Sequence, residues 1–174
     1  MRYFIGLLLG IILIAGCSPS EPLTEEPEEI MEEEVTAAPG WFDERVYSSA
    51  DTTAVYGYAM ASASDSASAA ELSVETALEN LRFEIDRRAD RVRSDLAENN
   101  GNEAYSSPTF IIQLRNAVQE INVDDAELRF GHEETETGVH IVYTRAALQR
   151  NQVYSLFTDL IADNQFIEQL TSDF

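Results

Sequence analysis

Seven apolar residues, Val74, Leu78, Leu81, Ile85, Ala89, Val92 and Leu96, recur at spacings of four, three, four, four, three and four. Only a helix of about 3.6 residues per turn brings residues so spaced onto one side, so the stripe predicts one long amphipathic helix. Ser68 and Glu71 have the S-x-x-E spacing of a capping box and mark its start, following several N-cap candidates in Ser62-Ala63-Ser64-Asp65. Asn99-Asn100-Gly101 marks its end. Such a stripe has to be buried against other elements.

Those elements are legible on either side. Residues 53–59 alternate in strand fashion, with Val55 and Gly57 on one face and Tyr56, Tyr58 and Met60 near the other, and Gly57 leaves room for a helix to approach. Ser107-Pro108 starts a second helix whose apolar face is Ile111, Leu114, Val118 and Ile121. Ala126, Leu128 and Phe130 alternate with Glu127 and Arg129; Val139, Ile141 and Tyr143 alternate with His140 and Val142. With the polar stretch 131–138 between them, these two runs predict a hairpin with a long turn. Asn151 introduces a closing helix through Val153, Leu156, Phe157, Leu160 and Ile161, which continues to Phe166, Ile167 and Leu170 past a break at Asp163-Asn164. The order β-α-α-β-β-α predicts an α+β fold: a small antiparallel sheet of about three strands packed against one long helix and further helices, its other face wet.

The N-terminus has a different character. Arg2 precedes an apolar stretch at 4–15, a signal-peptide pattern too short to be a comfortable transmembrane helix, which needs roughly 20 apolar residues. Leu13-Ile14-Ala15-Gly16-Cys17 resembles the bacterial lipobox, in which small residues precede a cysteine that is lipidated on sulfur and becomes the mature N-terminus. Cys17 is the only cysteine and stands where the apolar run ends, so disulfide bonding within the chain is excluded. The resemblance makes residues 1–16 a lipoprotein signal peptide with lipobox Ile14, Ala15 and Gly16. The membrane then becomes a partner through acyl chains on Cys17. Ser18, rather than the aspartate that retains such proteins in the inner membrane, favours outer-membrane delivery.

Residues 17–40 comprise the cysteine and an acidic tether with eight glutamates and no basic residue. Such a segment cannot bury a core, and like-charge repulsion extends it to at most about 75 Å at roughly 3.3 Å per residue. Residues 41–174 form the domain. They carry 24 acidic residues against ten arginines, and the whole chain, at a net charge of −21, has no lysine. Phosphate backbones would repel such a chain, which excludes a general nucleic-acid binder.

Tyr56-Gly57-Tyr58-Ala59, the alanine- and serine-rich helix start at 67–71, Ala77-Leu78-Glu79-Asn80-Leu81 and the early Trp41 together resemble the LPP-twenty family of small bacterial surface lipoproteins. The likeness covers roughly residues 41–145 and rests on alanine, glycine and leucine placements that govern packing. The acidity and the absence of lysine depart from the family's lysine-rich pattern. The resemblance implies a compact domain similar in element order to dodecins, a homo-oligomer, and no established enzymatic activity.

Three clusters are candidate sites. His132 and His140 lie symmetrically about Glu136, so a hairpin centred there brings both imidazoles together near Glu133 or Glu134, a zinc or nickel set in competition with an ordinary solvated turn. Arg82, Arg87, Arg88, Arg91 and Arg93 suit an anion clamp, but Glu84, Asp86, Asp90 and Asp95 interleave with them at helical spacing and favour a salt-bridged solvent face. Tyr56, Tyr58, Phe130, Tyr143 and Trp41 have the makings of an aromatic pocket, though strand aromatics more often serve packing. No P-loop, Rossmann glycine set or nucleophile elbow occurs, so no catalytic residue and no cofactor are expected. The sequence thus points to a lipid-anchored envelope protein with a structural or interaction role, the alternative being a carrier of a small ligand or metal.

The charge excess carries a consequence for stability. Carboxylates on a compact domain repel one another, and salt screens that repulsion. Unfolding followed by circular dichroism is expected to show a higher Tm in concentrated sodium chloride than in dilute buffer; equal values would mean that charge repulsion does not limit this fold.

Overall fold

The computed structural model describes residues 38–98 and 101–173. Strands β1 (Ser48–Ala50) and β2 (Ala54–Ala63) lead into the long helix α1 (Ser66–Glu98). A 3-10 turn (Glu103–Ser106) and α2 (Pro108–Glu120) come next, followed by the hairpin β3 (Glu127–Glu134) and β4 (His140–Gln149). Helices α3 (Arg150–Leu160) and α4 (Asn164–Asp173) close the chain. The sheet is antiparallel in the order β1-β2-β4-β3. The fold is α+β, with four strands where about three were expected. β1 escapes a reading by alternation because Ser48-Ser49-Ala50 is short and has no apolar period.

The register sorts every strand residue by face. Gly57 stands opposite Ser48 and Ala146, and Ala59 opposite Thr144, while Ser73 of α1 lies 2.6 Å from the Thr144 hydroxyl. Val55, Gly57, Ala59, Val142, Thr144, Ala146 and Leu148 therefore face α1, and Tyr56, Tyr58, Tyr143 and Arg145 face away. Val142, not Tyr143, is on the helix side of β4, the reverse of the face suggested by the Val139-Ile141-Tyr143 alternation. β4 is buried from 142 to 144 and again from 146 to 148, so polarity along it does not mark its two sides.

α1 begins at Ser66, two residues before the Ser68 of the expected capping box. Asp65 caps it, its carboxylate accepting the Ser68 backbone N–H at 2.9 Å. The face that meets the sheet is made of small residues, Ala69, Ser73 and Ala77, whereas Val74 and Leu78 are half-buried to the side. The stripe from Leu81 to Leu96 is buried as expected. Small residues are needed because helix and sheet backbones nearly touch: a Cβ on Gly57 would run into the Ala77 carbonyl oxygen and the Leu81 backbone. At about 1.5 Å per residue the 33 residues of α1 span about 50 Å, longer than a ten-residue strand at about 3.3 Å per residue. Its second half leaves the sheet and is covered by the helices. Val92 and Leu96 join Tyr105, Leu114, Val118, Phe157, Phe166 and Leu170 in one core.

Local chemistry fixes the joints. Ser107 caps α2 with Pro108 at its first turn. The Tyr105 hydroxyl donates to Asp163, which also accepts the Phe166 N–H and so starts α4, and burial beside that carboxylate pushes the Tyr105 phenol up to about 12. β1 covers only one end of the outer edge of β2. Beyond it, the Tyr58 carbonyl accepts from the Asn80 amide at 2.8 Å. The hairpin turns at residues 135–139, with Gly138 at φ +76°, a left-handed conformation that favours glycine.

The sheet's far face is not left wet. Pro39 is buried against Gly131, and the Phe42 ring packs edge-on to Tyr143 with centroids 4.9 Å apart. Packing thus begins before Trp41.

Gly57→Ala forces α1 off the sheet and is expected to cost about 3 kcal/mol, the upper end of the overpacking range. Urea unfolding against wild type measures it, and a loss below about 0.5 kcal/mol would mean that the two backbones are not locked together here.

Candidate functional site

Cys17 and the lipobox residues Ile14, Ala15 and Gly16 lie outside the described residues, as does the tether up to residue 37. Among the described residues no helix is long and apolar enough to cross a membrane.

The hairpin does bring the two histidines together. Nε2 of His132 lies 3.1 Å from Nδ1 of His140, and the rings stack at 22° with centroids 5.3 Å apart. The register is centred on Thr137 rather than Glu136, so His132 stands opposite Val142 and His140 opposite Glu134, making the imidazoles diagonal neighbours on one face. Glu133 points the other way, where it accepts from the Tyr143 hydroxyl at 3.1 Å. Burial and this carboxylate push the Tyr143 phenol up to about 12. Among the described residues no third His, Cys, Asp or Glu completes a metal-holding group with the pair. What the arrangement provides is a hydrogen bond from one ring nitrogen to the other.

The five helix arginines do not converge. Arg93 pairs with Asp90 at 2.7 Å and reaches the Tyr105 carbonyl, and Arg91 is exposed. Arg82 approaches the Ile121 carbonyl at 3.5 Å. Arg87 and Arg88 both bind Glu84, at 2.7 Å each, and Ser48 of β1 donates to the same carboxylate at 2.9 Å. Glu84 is 0% exposed, so this part of the helix is not the solvent face that its charge pattern suggests. Burial opposes ionisation of Glu84, but the hydrogen bonds from Arg87, Arg88 and Ser48 outweigh it and hold the carboxyl below its ordinary range. A signal for this was present: Glu84 falls between Leu81 and Ile85 in the buried stripe, with arginines three and four residues on.

Of the five aromatics, four share the outer face, and Phe130, opposite Thr144, is on the helix side. Trp41 lies over the outer face beside two arginines. The Arg129 guanidinium carbon is 5.5 Å and that of Arg145 6.0 Å from its ring, and Arg145 is also 5.4 Å from the Tyr56 ring. Arg129 and Arg145 are direct cross-strand partners. Sequence reading passed over both, because one sits among strand residues read for polarity alone and the other follows a predicted strand end at Tyr143. The cluster gathers two cations on an indole; it is not an aromatic pocket.

No protein-family model, no curated protein and no solved structure matches this chain.

Glu84→Gln removes the charge but keeps the shape. At neutral pH it is expected to cost about 2 kcal/mol, moderated because the Arg87 side chain is 43% exposed and stays hydrated. The Glu84 carboxyl titrates below its ordinary 4.5 in the folded state, so its contribution is present above that pH and fades as pH falls through the folded value. Denaturant unfolding of both proteins should therefore show a gap that narrows in acid; a gap constant with pH would contradict a stabilising ionised Glu84.

Proposed function

We propose that this chain is a lipid-anchored protein of the bacterial cell envelope, held to the outer membrane by acyl chains on Cys17, with a non-enzymatic structural or interaction role. The observation that carries this reading is the sole cysteine of the chain standing directly after Ile14-Ala15-Gly16 at the end of an apolar run. At about 0.8 kcal/mol per buried methylene a single acyl chain holds only marginally, whereas the two or three implied by the lipobox anchor permanently. The eight tether glutamates favour an extended spacer that holds the domain away from the lipid surface. The likeness to the LPP-twenty family supports the same role, and its quoted motif residues serve packing here: Gly57 and Ala77 make the helix–sheet contact and Leu81 is buried beside it. We propose a homo-oligomeric state on the same resemblance. A second reading, a small-ligand or metal carrier, is favoured by one observation, the contact between His132 and His140.

Radiolabelled palmitate is expected to enter the wild-type chain and not a Cys17→Ala variant, which should also shift from the detergent phase to the aqueous phase or accumulate unprocessed. Equal labelling and equal partition of the two proteins would overturn the anchor.

A further inference from the structure

The outer face of the sheet holds an electrostatic anomaly. Arg129 and Arg145 stand directly opposite each other on β3 and β4, an arrangement of like charges that destabilises a strand pair. Neither makes an ion pair with a described carboxylate, although the domain has 24 acids to ten arginines. Glu127 and Glu133 share their side of β3, yet Glu133 is committed to Tyr143. Both guanidinium groups lie against the ring of Trp41 instead. Within this cluster the Trp41 indole Nε1 and the Arg145 Nε are buried without an acceptor, so ring–cation contact rather than hydrogen bonding holds the arginines here. Arg129 is exposed and Arg145 is half-buried beside it, so the pair is open to solvent on one side.

We propose that Arg129, Arg145 and Trp41 form a binding site for a phosphate group. Two planar guanidinium forks, held side by side against the Trp41 ring, offer more donors than the two oxygens of a carboxylate accept, and they match the several oxygens of a phosphate. A bound dianion also relieves the cross-strand repulsion between the arginines. The net charge of −21 slows the approach of any anion, so the site works best where salt screens the domain.

Trp41 is the only tryptophan in the chain, so its fluorescence reports on this site alone. The full chain in non-ionic detergent is titrated with sodium phosphate, with sodium chloride at matched ionic strength as the reference. A saturable change in emission specific to phosphate is expected. Arg129→Gln, at an exposed position, should weaken the midpoint roughly tenfold, the equivalent of one charge-assisted hydrogen bond, and Arg129→Gln with Arg145→Gln should abolish it. Arg91→Gln, on the exposed side of α1, should titrate like wild type. Glycerol phosphate titrated in parallel separates the sources: binding at least as tight as that of inorganic phosphate points to a lipid headgroup, and weaker binding points to the free ion. A response equal in phosphate and chloride, or one retained by the double variant with unchanged circular dichroism, would overturn the site.

Discussion

The near-contact of two backbones at Gly57 governs the rest of the domain. With no Cβ there, α1 settles onto β2 through Ala77 and Leu81, which fixes the small-residue face of Ala69, Ser73 and Ala77. It also determines which side of β4 is inside, since Ala146 stands opposite Gly57. Once the first half of α1 is set on the sheet, its second half projects beyond it. The remaining helices then have one apolar surface to gather on, and Tyr105, Phe157, Phe166 and Leu170 complete a core that runs the length of the spine.

Charge is distributed around this spine in an unequal way. Most of the acidic excess is solvated, but one carboxylate, Glu84, is fully buried at the joint between α1 and β1 and is balanced by two arginines and a serine hydroxyl. On the far side of the sheet two arginines are held on an indole, and neither is paired with a described carboxylate. Pro39, Trp41 and Phe42 cover a face that an antiparallel sheet of this kind can leave to water, and they do so with rings laid over cations as well as with apolar contact.

Elements with a strong local period were legible in the sequence. The buried stripe from Leu81 to Leu96, the Ser107-Pro108 helix start, the face assignment of Val55 and Gly57, and the break before Asn164 all follow from spacing and capping chemistry. The rest depends on partners distant in the chain. β1 is a strand only because β2 pairs with it, and β4 is buried on both faces along most of its length, which erases the alternation that separates inside from outside. Asp65, one of the N-cap candidates ahead of the capping box, caps α1 in place of Ser68, and spacing alone does not choose between two residues that both have capping chemistry. At the candidate sites, the meeting of His132 and His140 was readable from hairpin symmetry, whereas their diagonal offset depends on where Gly138 places the turn. The Arg129–Arg145 pair depends on a register that spacing alone does not give.

Because β1 is only three residues long, the outer margin of β2 past Tyr58 has no strand beside it, and Met60 there is 45% exposed. The ten residues of β2 carry no charged side chain, so nothing on the strand itself discourages a second molecule from pairing with it. That task falls to the acidic surface around it, whose long-range repulsion any self-association has to overcome. Salt therefore pulls in two directions in this protein: the ions that ease crowding among carboxylates within one molecule also lower the barrier between molecules, tying folding and solubility to a single variable of the medium.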